Sequence, residues 1–153
     1  PQLRTVILRR VDTTARLLFF HTDIRSEKIQ QITEHPRVSW LFYDEKLKIQ
    51  LRMPATAVIH TEDDVADYGW KHSRLASKLS YTTSSPSGTK LLQPELINLN
   101  VSEADEATLE VARRNFSVVE TDVKRIDWLY LHHLGNRRAL FDYENGTESW
   151  IQV

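Results

Sequence analysis

The chain has 153 residues, 41% hydrophobic and 27% charged, a composition that fits one folded domain and excludes disordered, repetitive or linker-dominated architectures. Cysteine is absent, which excludes disulfides, thiolate metal sites and cysteine nucleophiles and fits a cytoplasmic protein. The formal charge of −1 gives no net-basic nucleic-acid footprint, and the longest apolar runs are four residues where a membrane-spanning helix needs roughly 20.

The chain opens at Pro1, without Met or any signal-peptide pattern, and reads as one whose leading residues are trimmed or disordered. Thr5–Val11 is rich in β-branched residues and predicts a strand, with a turn at Val11–Thr14 and a hairpin partner at Arg16–Thr22. Asp23–His35 predicts a helix with Ile29 and Ile32 on one face, ended by Pro36. Val38–Asp44 is a third strand. Leu47–Ile59 has the clearest pattern: odd positions from Leu47 to Ile59 are apolar, while Lys48, Gln50 and Arg52 are polar. That period of two sends one face to a core and the other to solvent or a ligand. Pro54 within it predicts a bulge or an edge position.

Thr61-Glu62-Asp63-Asp64 reads as a capping box opening a helix through Val65 and Tyr68. Ser80–Lys90 is dominated by Ser and Thr and predicts a loop. Ser102-Glu103-Ala104-Asp105 reads as a second capping box, its helix running to about Arg114 and ending on the basic pair Arg113-Arg114. Strands follow at Ser117–Leu131, with a bend, then at Arg138–Tyr143 and Ser149–Val153, the last two joined by an Asn145-Gly146 turn. There is no internal repeat. Six or seven strands with a few helices make one mainly β (α+β) domain over 1–153, a small barrel or sandwich with helical decoration.

Charge is uneven. Residues 1–28 hold six basic and three acidic side chains, a local excess of +3. Thr22, Arg25, Ser26 and Lys28 gather at the start of the first helix, where free backbone N–H groups and the positive end of the dipole already favour an anion. With Arg4 and Arg9 on the neighbouring strand, the cluster reads as readily as a phosphate site as it does as capping plus solvated charge. His132 and His133, adjacent on a strand, point to opposite faces and make a poor metal pair; with no Cys and no H-E-x-x-H pattern, no metal site is expected. Trp40, Trp128 and Trp150 are expected in the core or an interface. No G-x-S-x-G frames a nucleophilic serine.

The ordered set of Arg4-Thr-Val-Ile-Leu-Arg9, Phe20-His-Thr-Asp-Ile-Arg-Ser-Glu-Lys28, His35-Pro-Arg-Val38, Leu41-Phe-Tyr43, Leu47-Lys-Ile-Gln50-Leu-Arg52 and the tail from Ile126 to Phe141 resembles the pyridoxamine 5′-phosphate oxidase-like, FMN-binding split-barrel family. The resemblance implies a split β-barrel with peripheral helices, FMN as cofactor, and a homodimer with FMN at the subunit interface. It implies that Arg4 and Lys28 hold the FMN phosphate, helped by Ser26 or Arg25, and that Thr5, Val6, Ile7, Leu8 and Arg9 lie along the flavin. It places His21 and Thr22 at strand-end flavin contacts, Gln50 on the ring, Ser87 against FMN from the second subunit, and Leu129 with one arginine of Arg137-Arg138, taken as Arg138, at the tail contacts.

Two departures from the family follow. Glu27 stands where the oxidase has a basic residue; it is expected to point away from a phosphate, with Arg25 supplying the missing charge. The oxidase's substrate grip survives in part: Trp70, Arg74 and Ser77 fall at or near its positions, with Arg9 and Arg74 the candidates to grip an anionic substrate, but its closing Arg-x-His motif is replaced by His132-His-Leu-Gly-Asn-Arg-Arg138. The reading that results is an FMN-dependent oxidoreductase acting on a small molecule, with no catalytic residue named and no nucleic-acid or membrane partner. The alternatives are a genuine pyridoxamine or pyridoxine 5′-phosphate oxidase, and a non-catalytic split barrel that binds flavin or haem.

Overall fold

The computed structural model describes residues 2–94 and 104–153. Its strands form one antiparallel sheet of eight. β1 (Leu8–Asp12) pairs with β2 (Leu17–Asp23), β2 with β5 (Phe116–Val123), and β5 with β4 (Ile49–His60). β4 continues to β6 (Arg125–Tyr130), β7 (Arg137–Asp142) and β8 (Thr147–Ile151), while β3 (Arg37–Asp44) lies off this path and pairs with β4. One more strand forms than the seven segments predicted, because Ser117–Leu131 divides at Lys124, the bend expected within it.

The first hairpin lies later than expected. Thr5–Ile7 stays outside the strand, Val11 and Asp12 belong to β1, and the turn is Thr13–Arg16. Asp12 Oδ1 accepts from Ala15 N at 2.8 Å, and Arg16 takes a left-handed φ of 60°, so the aspartate stabilises the turn from the strand end. The register of β1 shifts between Leu8 and Arg10, a bulge centred on Arg9.

β4 is the hub of the sheet. Its predicted alternation holds, with Ala55 and Ala57 buried and Arg52 and Val58 exposed. Pro54 neither breaks it nor marks an edge. One side of β4 pairs with β6 through Arg52 and with β5 from Ala55, and Pro54 sits in the gap between those partners. Its carbonyl accepts from Lys124 N at 2.9 Å on that side, so the missing N–H falls where no ladder partner exists.

Alternate residues of β2 and β5 feed cores on both faces of the sheet. Leu18, Phe20 and Val119 pack with Trp40, Ala55 and Ala57 and with Ile29 and Ile32 of α1 (Glu27–Glu34). Phe19, Phe116 and Val118 pack with Ala66 of α2 (Asp64–Lys71) and Ala112 of α4 (Glu106–Asn115). Trp40 Nε1 donates to the buried Thr121 Oγ1 at 2.9 Å, so this tryptophan is a core residue with its polar atom satisfied. Trp150, by contrast, is 74% exposed and is not in the core.

Helix starts differ from expectation by the choice of cap. α1 begins after Ser26, because Asp23 is still in β2. α2 is capped by Asp63, which accepts from Ala66 N at 2.9 Å, two residues beyond Thr61. α4 is capped by Asp105, accepting from Thr108 N at 2.8 Å; Ser102 and Glu103 of the predicted capping box lie outside the described residues. A five-residue helix, α3 (Leu75–Leu79), was not foreseen, being too short to show a period. His132 and His133 follow β6 instead of extending it, and their rings lie 4.4 Å apart, so the opposite-faces argument does not apply to them. Among the described residues no group of three or more His, Cys, Asp or Glu side chains is placed to hold a metal. No described helix is long and apolar enough to cross a membrane.

Candidate functional site

The first cluster forms where β2 runs into α1. Lys28 Nζ donates to Thr22 Oγ1 at 2.7 Å and to Ser26 Oγ at 3.4 Å. Ser26 is the N-cap residue, yet its hydroxyl caps no backbone N–H; it turns to Thr22 and Lys28 instead. Thr22 and Ser26 are buried. Burial, then the charge of Arg4, depress the Lys28 pKa against the opposing pull of Asp23. Two cations and two buried hydroxyls thus meet at an uncapped helix N-terminus, a chemistry that fits a phosphate.

Glu27 does not simply turn away. Its carboxylate meets Arg4 Nη2 at 3.1 Å, and Arg4 also donates to Gln31 Oε1 at 2.9 Å. Nor is Arg25 the spare charge it was expected to be. It forms a two-pronged pair with Asp23, Nε to Oδ1 at 3.0 Å and Nη2 to Oδ2 at 2.7 Å, and reaches the Thr83 carbonyl at 3.1 Å. Arg25 therefore ties the end of β2 to the Ser/Thr-rich loop. That loop carries Ser87, which is exposed.

A cavity of about 410 Å³ opens on the other face of β2, between the first hairpin and α2–α3. Arg9, His21, Arg74 and Ser77 line it, as do Arg10, Tyr68, His72 and Ser73, which sequence reasoning did not assign. The motif that carries the resemblance stops at Arg9 and so leaves Arg10 unassigned; with a bulge at Arg9, where strict alternation lapses, both arginines line the cavity. The Arg10 guanidinium lies 3.6 Å from the Phe19 ring centre and 5.0 Å from that of Tyr68. None of the described lining residues is acidic. Burial, then Arg9 and Arg10, lower the His21 pKa to about 4. Trp70 does not line the cavity: its ring packs edge-on against Phe116, under the Lys78 ammonium at 4.8 Å.

The third group lies across the sheet. Gln50 is paired with Leu129, and Leu129 with Arg138, so the three stand in one row over β4, β6 and β7 and share a face. Tyr43 of β3 continues the row beyond Gln50. Arg138 is held by Asp127, Nε to Oδ1 at 2.9 Å and Nη2 to Oδ2 at 2.7 Å, and Arg52 meets the same carboxylate at 3.1 Å. Asp127 was missed in the sequence because its role depends on a cross-strand register that no local pattern encodes. Of the remaining predicted residues, Val6 and Leu8 pack against the main core, whereas Ile7 is 64% exposed.

Residues 1–61 match the family model described as pyridoxamine 5′-phosphate oxidase, FMN-binding domain. A curated pyridoxine/pyridoxamine 5′-phosphate oxidase from Psychrobacter arcticus is 28% identical over 122 residues, 80% of this chain; the chain spans about half of that relative, 48% of its length. Among solved structures, a pyridoxamine 5′-phosphate oxidase-related, FMN binding protein from Nostoc punctiforme superposes with a TM-score of 0.78 at 21% identity, covering 98% of this chain and 80% of that one. PhzG from Burkholderia lata, solved in complex with tetrahydrophenazine-1-carboxylic acid, gives 0.71 at 16% identity, covering 98% and 74%. Over residues 1–61 the chain is similar in sequence to that FMN-binding domain, and over nearly its whole length its eight-stranded sheet has the split-barrel fold of these solved structures.

Proposed function

We propose that the protein is an FMN-binding flavoprotein, an oxidoreductase of small anionic molecules that works as a cytoplasmic homodimer. The observation that carries this reading is the cluster of Lys28, Thr22, Ser26 and Arg4 at the uncapped start of α1. It offers the FMN phosphate two charges, two hydroxyls and open backbone amides. Arg4 would exchange its contact with Glu27 for the phosphate, and Glu27 would keep its bond from Gln31 at 2.9 Å. The row of Gln50, Leu129 and Arg138 would meet the ring, with Thr5–Arg9 along the cofactor and Ser87 reaching it from the second subunit. When bound, FMN supplies the hydride or electron transfer. The chain's own residues bind and orient: Arg9, Arg74 and Ser77 would take the anionic end of the substrate. Pyridoxamine 5′-phosphate, for which the curated relative is named, is the first substrate to try. Ring carboxylates come next, because PhzG was solved with one.

An FMN titration tests the reading. FMN should bind one per chain, and riboflavin, which lacks the phosphate, much more weakly. Lys28→Ala removes a charge-assisted hydrogen bond worth roughly 1.5–3 kcal/mol, about ten- to a hundred-fold in FMN affinity. Equal affinity for FMN and riboflavin would sink the phosphate assignment.

A further inference from the structure

The two ring nitrogens of His21 have different surroundings. Nδ1 lies 3.2 Å from Ser73 Oγ, and Ser73 Oγ donates its proton to the Gly69 carbonyl at 2.8 Å. A hydroxyl has one proton to give, so Ser73 accepts from His21 Nδ1–H, and the lone pair sits on Nε2. Nε2 faces Gly69: a Cβ there would stand 3.1 Å away, and glycine leaves the nitrogen uncovered. Among the described residues the buried side-chain nitrogen without a partner is His60 Nε2, so His21 Nε2 is unpartnered yet open to the cavity. Arg9 and Arg10 of β1 border the cavity with it, as does Arg74 at the head of α3. The stacked rings of Tyr68 and His72, 3.9 Å apart, give the cavity a flat wall; His72 also has a free Nε2, but it is exposed and water competes there.

We propose that this cavity takes a flat anionic molecule bearing an N–H or O–H donor, whose anion is held by the arginines and whose donor is accepted by His21 Nε2. Ser73 is the positioning residue that keeps the lone pair on that nitrogen. The proposal rests on the cavity being the substrate site of the function proposed above. It adds a selection rule, since a ligand with no donor leaves the nitrogen unpaired on a partly buried ring.

The test compares para-hydroxybenzoate with para-fluorobenzoate, close in size but without the donor, by calorimetry on FMN-loaded protein. The hydroxy compound should bind about tenfold more tightly to the wild type. His21→Phe keeps the packing on Phe116 and should bind both alike; Ser73→Ala frees the other tautomer and should narrow the preference. Equal affinities in the wild type, or binding of neither compound, overturn the proposal. Nitrogen NMR of histidine-labelled wild type needs no variant to fold: it should find Nδ1 protonated and Nε2 bare, and a protonated Nε2 overturns the proposal as well. The FMN titration runs alongside. A hydroxybenzoate preference in protein that takes up no FMN breaks the flavin reading alone; FMN uptake without the preference breaks the His21 reading alone.

Discussion

Asp127 gathers two arginines from flanking strands, Arg52 and Arg138, while its own side chain is only 14% exposed. The Arg138 hydrogen bond, against the opposing cost of burial and with help from Arg52, holds its carboxyl below the usual carboxylate range. A carboxylate whose folded pKa is depressed adds stability above its unfolded value of about 3.9, and that contribution disappears as pH falls through the folded pKa. Asp127→Asn should therefore be less stable than the wild type at neutral pH, with the gap shrinking under acid. Urea unfolding near pH 7 and near pH 3 checks this; a gap that stays constant would separate Asp127 from the pH dependence. The neighbouring residues show what the sequence discloses at this scale. Gln50 stood out by its place in an alternating strand. Asp127 did not, because the register that sets it opposite Arg52 links positions 75 residues apart.

At the scale of elements, the strands were legible because a half-buried sheet writes its burial into every second residue, as β4 does. Helix starts were less so: Thr61, Asp63 and Asp64 are all competent caps, and tertiary position selected Asp63. The β1 bulge was invisible, having no sequence signature beyond an ordinary Arg-Arg pair. α2 carries a further point in Gly69. Glycine within an exposed helix costs about 1 kcal/mol relative to alanine, so Gly→Ala there usually stabilises. Here the new Cβ would stand 2.7 Å from Val118 Cγ2 and crowd His21. Gly69→Ala should lower the melting temperature, the reverse of the helix-propensity expectation. A raised melting temperature would show that β5 yields to α2 at little cost.

For the whole molecule, β3 pairs on one side only among the described residues, and its outward residues Leu41 and Tyr43 are 60% and 53% exposed. They flank Arg52 and Gln50 across the ladder, which continues the proposed ring-binding row onto an uncovered apolar edge. Exposed apolar side chains grouped on one strand are what an interface between copies would cover. The proposed homodimer should sediment as such at micromolar concentration, and Leu41→Asp should shift it toward monomer while lowering FMN affinity. A wild-type monomer that still binds FMN would separate the cofactor from the dimer.

β2 joins β1 locally but finds its other partner, β5, about 100 residues later, with the Thr121 hydroxyl closing on the Leu18 carbonyl across 103 positions. During synthesis the first hairpin and β4 leave the ribosome well before β5 exists to join them. The 61 N-terminal residues that match the FMN-binding domain therefore make no self-sufficient folding unit: both β2 and β4 lack a neighbour until Phe116–Val123 emerges. The bond from the Ser117 hydroxyl to the Thr22 carbonyl, at 2.9 Å, thus forms only after β5 is made, and until then β2 and β4 each carry an open edge.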